Sequence, residues 1–502
     1  MTVASLLDRG LSGLASPLEL ERASRVTSDV SGVAYDSRMV VRGQVFVALK
    51  GLRDDGAAYA AQAVAAGAVA VVSEQAPVAG VPVPWVVVTD ARLALARLAA
   101  EYFEHPSRQM PVVGVTGTNG KTTTAYLLAA IFEAAGVGCG MMGTVEYRFG
   151  TTTIPATRTT PEAPEVQALL RRMRGAGCGA CVMEVSSHAL ALRRADAIQF
   201  AAAVFTNLTR DHLDFHGSME DYFLAKRRLF DLLPPDAPSL VNIDDPRGAV
   251  LMELASRPVS YGIAKSAQVS PGPLTLSLEG LSFDVRCDRG TVHVRSRLVG
   301  KANVYNILAA VGVTAELGLP LSAIEDGLQA LPGVPGRFEV ASSGADDITV
   351  VVDYAHTDDA LRNLLETARP MARRVVTVFG AGGNRDRTKR PLMGMVAARM
   401  SDVVVVTSDN PRTEDPARII EEVMRGAEPE IRQRPVTVTA VVDRAEAIHC
   451  AVLGAEAGDL VLLAGKGHEK YQEIDGVSHA FDDVEIARAA LAERRILRTR
   501  VG

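Results

Sequence analysis

Lys121 and Thr122 follow a glycine-rich turn, Gly117-Thr118-Asn119-Gly120, which follows the apolar run Val112-Val113-Gly114-Val115. Glycines let a backbone approach an anion closely, and the amides of a helix starting just after them point at the same place. In such a loop the lysine reaches the β- and γ-phosphates of a nucleotide and the threonine hydroxyl binds Mg²⁺. The usual spacing puts glycine at position 115; here it is Val115, with Gly114 one place early. Further residues able to do chemistry close other apolar runs: Glu184 after Ala180 to Met183, Thr206 to His212 after Ala201 to Phe205, and Asp353-Tyr354-Ala355-His356 after Thr349 to Val352. Mg²⁺ is commonly held by one or two carboxylates plus phosphates and water, so Glu184 fits a metal ligand or a water holder, with a helix cap as the plainer alternative. His212, within Asp211-His212-Leu213-Asp214-Phe215-His216, could serve a second metal, and Asp353 could hold ribose hydroxyls. Lys226, taken alone, reads as a solvated charge.

These groups need strands to carry them. Val112 to Val115 reads as a buried strand and Lys121 to Phe132 as a helix, the strand–turn–helix of a phosphate loop. Residues 1–108 alternate strand-like runs (Val33 to Arg38, Gln44 to Leu49, Ala68 to Val72, Trp85 to Val88) with helical ones (Ala57 to Ala66, Ala91 to Phe103), an α/β layer. His105 to Arg108 reads as a linker, and Pro332-Gly333-Val334-Pro335-Gly336 as a second. The division is therefore 1–108, 109–335 and 336–502. In the last unit, strands from Thr349, Arg374, Val403 and Leu460 each end in polar residues, as in a doubly wound sheet whose ligands sit beyond the carboxyl ends of the strands. The Gly380-Ala381-Gly382-Gly383 turn lacks dinucleotide-fingerprint spacing.

Composition narrows the class. The 502 residues are 48% hydrophobic and 22% charged with a net charge of −6, so bulk electrostatic attraction to nucleic acid is not indicated. One tryptophan and 5% aromatics give no stacking surface for single strands. Five cysteines are too few for a disulfide framework, and Cys178 and Cys181 lead into an apolar run that reads as core. The N-terminus has no signal-peptide pattern, and no apolar run is long enough to span a bilayer. A soluble cytoplasmic protein without membrane insertion, acting as a monomer, is expected.

With these stretches assembled, the chain resembles the Mur ligases over nearly its full length. The resemblance rests on Gly117 to Thr123, Met183-Glu184-Val185-Ser186-Ser187-His188, Thr206-Asn207-Leu208 with Asp211 to Asp214, Asp353 to His356, Asp409-Asn410-Pro411-Arg412, Gly465-Lys466-Gly467-His468-Glu469 and Asp36-Ser37-Arg38. In that family Gly114, Gly117 and Gly120 at three-residue spacing fit the loop. The resemblance implies an α/β fold of three domains. A central parallel-sheet domain of the P-loop ATPase kind is flanked by an N-terminal α/β UDP-binding domain and a C-terminal Rossmann-like domain.

It implies an ATP-dependent, ADP-forming amide ligation with Mg²⁺, in peptidoglycan precursor synthesis. A UDP-N-acetylmuramoyl dipeptide would be joined to a diamino acid through an acyl phosphate. Gly117, Thr118, Asn119, Gly120, Lys121, Thr122 and Thr123 would hold phosphates, with Asn306, Arg337, Asp353 and His356 around the rest of ATP. Thr122 and Glu184 would bind one Mg²⁺. His212 and Lys226, the latter matching a carbamylated lysine, would serve the other. Tyr35, Ser37, Leu52, Arg53 and Asp54 would contact the UDP end, and Arg158, Thr159, Thr160, Ser186 and Arg194 the muramyl dipeptide. Arg385, Asp409, Asn410, Pro411, Arg412, Gly465 and Glu469 would select the amino acid. Arg412 suits bidentate pairing with a carboxylate, which favours meso-diaminopimelate over lysine or ornithine. Asn384, Asp358 and Leu192 stand where the pattern commonly has Asp, Pro and Gln. A folylpolyglutamate-synthetase-like ligase is the nearest alternative, and residues 1–108 argue against it. A phosphate-loop ATPase that turns over without an amine is the non-ligase alternative.

Overall fold

A computed structural model of the chain describes residues 1–24, 26–51 and 54–501. Three sheets carry the architecture, each buried on both faces. The first is all parallel, in the order Gly32–Ala34, Gln44–Ala48, Ala70–Ser73, Trp85–Val87. Val3–Leu11 and Ala91–Tyr102 pack on one face and Ala60–Ala65 on the other.

The central sheet has eight strands. Pro258–Tyr261, Ser239–Asn242, Phe200–Phe205, Val112–Thr116, Ala180–Glu184 and Cys139–Met142 run parallel, and Glu146–Phe149 and Thr152–Pro155 complete the edge antiparallel. Lys121–Ala134, Lys301–Glu316 and Leu321–Ala330 cover one face, while Ala163–Gly175 and Met219–Asp231 contribute to the core on the other. An antiparallel sheet from residues 270–296 extends the first of these cores.

The third sheet runs Glu339–Val340, Thr349–Asp353, Leu460–Ala464, Val375–Phe379, Val403–Val406, Thr437–Ala440, antiparallel only at its first strand. It too has a core on each face. The near-continuous β-branched runs in the sequence are what a strand buried on both faces requires. Among the described residues no helix is long and apolar enough to cross a membrane.

Register is what assembles the site. Val115 pairs with Glu184 and Thr116 with Phe205, so the phosphate loop, Glu184 and Thr206 leave the central sheet side by side. Asp353, Ala464 and Phe379 are likewise in register in the third sheet.

Two local expectations need correction. The strand expected from Val33 to Arg38 stops at Ala34, because Asp36 accepts hydrogen bonds from the Arg38 amide (3.0 Å) and guanidinium and turns the chain. The expected helix Ala57 to Ala66 is divided into a 3-10 turn, Gly56–Tyr59, and a helix, Ala60–Ala65, since the Asp55 carboxylate takes the Ala57 amide (2.9 Å) and starts a tighter turn.

The helices Lys389–Met400 and Pro416–Ile431 meet backbone to backbone. A Cβ at Gly426 would fall 1.7 Å from the Pro391 carbonyl oxygen, and one at Gly394 2.0 Å from that of Val423. Forcing such helices apart costs about 3 kcal/mol. Gly426→Ala is therefore expected to lower the thermal transition of the C-terminal unit by about 6–12 °C. Calorimetry on the full chain checks this, and an unmoved transition would contradict the close approach.

Candidate active site

The phosphate loop is held from the neighbouring strand end. Thr206 Oγ1 donates to the Asn119 carbonyl (2.6 Å), Asn207 Oδ1 accepts from the Asn119 amide (2.9 Å), and the Thr118 amide donates to the Asn207 carbonyl (2.9 Å). Gly117 has φ +147°, and a Cβ there would lie 1.8 Å from Thr206 Oγ1. Gly120, at φ +89°, leaves room for Asn306, whose Oδ1 would be 2.4 Å from a Cβ. Thr123 is buried in the first turn of the following helix. Lys121 folds back on its own loop, Nζ donating to the carbonyls of Gly117 (2.9 Å) and Thr118 (2.8 Å). Burial pushes its pKa down, with Glu184 and Asp211 opposing.

Glu184 is enclosed and oriented. Its carboxylate accepts from Thr122 Oγ1 (3.1 Å), the Thr144 amide (2.9 Å) and Thr144 Oγ1 (2.9 Å). Arg337 Nη2 donates to Thr122 Oγ1 (3.2 Å) from the start of the third unit, and its guanidinium lies 4.6 Å above the Tyr354 ring.

Lys226 corrects the reading of a solvated charge: it is 2% exposed. Ser218 caps its helix, and Tyr222, Phe223, Ala225 and Leu229 bury the surrounding face. Its Nζ donates to the Gly117 carbonyl (2.8 Å) and lies 4.4 Å over the Tyr222 ring. Burial pushes its pKa far down, the Lys121 charge pushes it further, and Asp211 only partly opposes. His212 sits in the left-handed region (φ +55°), Nε2 3.3 Å from Asp211 Oδ2 and its ring 4.8 Å from that of His188. Burial pulls its pKa to about 3 against the pull of Asp211.

The third unit reaches this centre at several points. Asn119 Nδ2 donates to Asp359 Oδ2 (3.2 Å), and His356 Nε2 lies 3.8 Å from Asp211 Oδ2. Arg210 Nη2 donates to Asp358 Oδ1 (3.1 Å), so the acid standing where the family pattern has proline pairs with a cation of the central unit. Asp353 behaves unlike a free ribose ligand. Both of its carboxylate oxygens are engaged by amides, of Phe338 (2.7 Å) and Ala355 (2.8 Å), tying the segment that carries Arg337 to the strand end.

A second cluster forms where the strands of the third sheet end. Asn410 Nδ2 donates to Glu469 Oε2 (2.8 Å), and Lys466 Nζ donates to Asn410 Oδ1 (3.1 Å) and Glu469 Oε2 (3.3 Å). Asp409 Oδ1 accepts its neighbour's amide (2.7 Å), whereas Oδ2 is buried without a hydrogen-bond partner. A Cβ on Gly465 would come within 2.7 Å of that oxygen. Arg412, at φ +53°, donates from Nη1 to the Gly383 carbonyl (2.7 Å) and pairs through Nε with Glu473 (3.2 Å). Pro411 is buried beneath this loop, and Arg385 is exposed beside it. Asn384, at φ +50°, accepts from the Thr413 amide (3.1 Å) and hydroxyl (2.9 Å). Asparagine tolerates that backbone region, so the departure at 384 keeps the loop's bonds to the Arg412 turn.

Near Glu184 the residues expected at a dipeptide converge. Thr160 Oγ1 donates to the Glu184 carbonyl (2.8 Å) and accepts the Ser186 amide (3.1 Å). Arg194 donates to the Thr160 carbonyl (3.1 Å) and pairs with Glu162 (2.7 Å). Arg158 also pairs with Glu162 (3.2 Å), and Thr159 Oγ1 lies 3.1 Å from Thr144 Oγ1. Leu192 closes the short helix Ser187–Ala191 beside them. Ser37 and Asp54 bond within the first unit, and Tyr35 reaches the central one. The Tyr35 hydroxyl donates to Glu165 (2.9 Å), Ser37 donates to Gln62 (3.2 Å), and the Asp54 carbonyl accepts the Gly51 amide (2.9 Å). Leu52 and Arg53 lie outside the described residues.

Thr144 and Lys466 make site contacts that the sequence does not single out. Lys466 stands inside a quoted motif, so its position was a usable signal; Thr144 offered none. Among the described residues, no group of three or more His, Cys, Asp or Glu side chains converges to hold a metal unaided. Oxygens of Thr122 and Glu184 form a hard donor pair suited to Mg²⁺, which takes its remaining ligands from phosphates and water.

Known proteins resemble this chain in sequence and in fold. Residues 29–103 match the profile described as Mur ligase family, catalytic domain; residues 115–314 match the Mur ligase middle domain; and residues 336–467 match the Mur ligase glutamate ligase domain. The chain is 48% identical over 484 residues to the UDP-N-acetylmuramoyl-L-alanyl-D-glutamate–2,6-diaminopimelate ligase of Geobacter sulfurreducens, covering 93% of this chain and 95% of that one. It is 47% identical over 471 residues to the protein of that name from Gloeobacter violaceus, with the same coverage. A solved structure of a ligase of that name is 35% identical, with a TM-score of 0.67, over 94% of this chain and 96% of its own. A glycine loop braced by Thr206 and Asn207, an enclosed Glu184 and a buried Lys226 thus occur in a sequence alike from end to end, and the chain belongs to the Mur ligase family.

Proposed function

We propose that this chain is an ATP-dependent, ADP-forming ligase that adds meso-diaminopimelate to UDP-N-acetylmuramoyl-L-alanyl-D-glutamate. The observation that carries the reading is the docking of the third unit on the phosphate loop: Arg337 of the third unit bonds Thr122 of that loop, and Asn119 of the loop bonds Asp359. The unit that carries the cluster of buried acids and cations is thereby docked against the phosphate loop. The names of the relatives supply the substrates. We take the units as 1–108 for the UDP-sugar, 109–335 for ATP and 336–502 for the amino acid, each built on its own sheet.

The terminal carboxylate of the dipeptide attacks the γ-phosphorus of ATP, forming an acyl phosphate and releasing ADP. The free amine of the diamino acid then attacks the acyl carbon. The tetrahedral adduct collapses to the amide with departure of inorganic phosphate. No protein nucleophile takes part, so catalysis rests on positioning and charge neutralisation. Lys121 and the amides of Gly117 to Thr123 bind the phosphates, Asn306, Arg337 and His356 frame the nucleotide, and Asp353 holds the segment that carries Arg337. Thr122 and Glu184 would hold one Mg²⁺, and His212 with carbamylated Lys226 the other. Bound Mg²⁺ supplies positive charge against the phosphate oxygens.

Arg158, Thr159, Thr160, Ser186 and Arg194 would orient the dipeptide, with Tyr35, Ser37 and the 52–54 loop at the UDP end. Arg385, Asp409, Asn410, Pro411, Arg412, Gly465 and Glu469 would receive the amine. Arg412, released from Glu473, would take the distal carboxylate that lysine and ornithine lack. Phosphate release measured with the dipeptide substrate and each of the three amines tests the reading. Fast release with meso-diaminopimelate and at least about tenfold lower kcat/KM with the others is expected, the value of one charge-assisted pair. Equal rates with lysine would refute the specificity, and release without any amine would favour an ATPase.

A further inference from the structure

Behind the amine cluster lies a buried ion pair that the mechanism above does not use. Arg444 opens the helix Arg444–Gly454 and is 1% exposed; Asp483 opens Asp483–Val501 and is fully buried. Their contact is bidentate, Nε to Oδ1 at 2.9 Å and Nη2 to Oδ2 at 2.6 Å. Nη2 also donates to the Ala464 carbonyl (3.1 Å). Such a pair is a poor device for stability alone, because well-packed apolar replacements commonly match or exceed it.

Its surroundings give it a different use. Ala464 accepts from Arg444, and the next residue, Gly465, lies against Asp409 Oδ2. One peptide unit thus separates the Arg444 cation from the Asp409 anion. Arg444 Nη1 and Asp409 Oδ2 are both buried without a partner. Gly465 has φ +115°, and any side chain there would sit 2.7 Å from Oδ2 and close it off. Burial alone would raise the Asp409 pKa, but the Lys466 and Arg444 charges, the Asn410 amide and His356 together bring it below the usual value. Lys466, the stronger of the two charges, is tied to Asn410 and Glu469 within the cluster, and Arg444 is the second cation acting on Asp409.

We propose that Arg444, fixed by Asp483, is a positioning residue for the incoming amine, setting its cation one peptide unit from the Asp409 carboxylate, whose unpartnered Oδ2 beside Gly465 accepts the ammonium of the diamino acid. This rests on the reading of the cluster as the diamino-acid site. The test is the double variant Arg444→Met/Asp483→Leu in the full chain, which removes both charges and leaves neither unpaired. Its thermal transition is expected close to that of the unaltered protein. KM for meso-diaminopimelate should rise at least about tenfold, the loss of one charged hydrogen bond, while kcat and the KM values for ATP and the dipeptide stay within about threefold.

A folded double variant with unchanged KM for the amine overturns the proposal. Should it not fold, Arg444→Lys and Arg444→Gln decide, since both lose the bidentate contact and only the lysine keeps the charge. The lysine variant should retain an amine KM within about threefold and the glutamine variant should not; equal values overturn the proposal. If the unaltered enzyme shows no amine-dependent phosphate release, the functional reading falls and this inference with it. An active enzyme with an unaffected double variant removes this inference alone.

Discussion

Lys121→Met is expected to fold normally and to lose at least about a thousandfold in kcat, the scale of removing a preorganised charge from a transition state. In the structure the ammonium satisfies the carbonyls of Gly117 and Thr118 rather than any partner outside the loop. Its removal takes a donor from those two carbonyls, while Glu184 keeps its bonds from Thr122 and Thr144 and the Thr206 and Asn207 bonds that shape the loop remain. Phosphoryl transfer moves charge onto the bridging and terminal oxygens, and the ligase offers no covalent alternative. Methionine keeps the length of the stem and discards only the charge. Arginine should not restore activity, since its planar fork differs from a compact ammonium in donor geometry. Steady-state phosphate release with saturating dipeptide and amine measures the effect, alongside the thermal transition. A folded Lys121→Met enzyme within about threefold of the unaltered kcat would remove Lys121 from its role.

What could be read beforehand follows from which interactions are local. The strand, turn and helix from Val112 to Ala134 are encoded in adjacent residues, and so are the strand ends that place Glu184 and Asp409, because a doubly buried parallel strand is a continuous apolar run. Partners across the fold are another matter. Thr144 sits 40 positions from Glu184, and nothing about a threonine before a short antiparallel strand marks it as the residue that orients a carboxylate. The Arg444–Asp483 pair joins the first turns of two helices 39 positions apart. Glu473 likewise reaches Arg412 only because the hairpin Tyr471–Ile474 and Val477–Ala480 folds back on that loop. Lys226 is the sharpest case: a lysine at mid-helix predicts solvent, and only the packed Tyr222, Gly117 and Lys121 reveal a cation kept from water.

That burial carries the other large effect. Lys226→Ala is expected to lower kcat by about 10²–10³, as for loss of one preorganised electrostatic group, and to regain part of it with added formate or acetate. An unmodified Lys226 would place a desolvated ammonium beside Lys121 with only a carbonyl as acceptor, which burial and like charge both oppose. The same surroundings favour the neutral amine, the form able to attack CO₂. Carbamylation then turns a repelled cation into an anion attracted to Lys121, and sets a carboxylate-like group near Tyr222 and His212, where the second metal of the proposed mechanism would lie. A small carboxylate can enter the space that alanine leaves and replace that charge, whereas it can do nothing for a missing cation. Lys226→Arg therefore separates the two accounts: it keeps the positive charge and cannot form the carbamate. Arginine activity near that of the unaltered enzyme, or an alanine variant active without added carboxylate, would show that Lys226 works as an ordinary cation. An inactive arginine variant beside an alanine variant rescued by formate would establish that the site requires a negative charge.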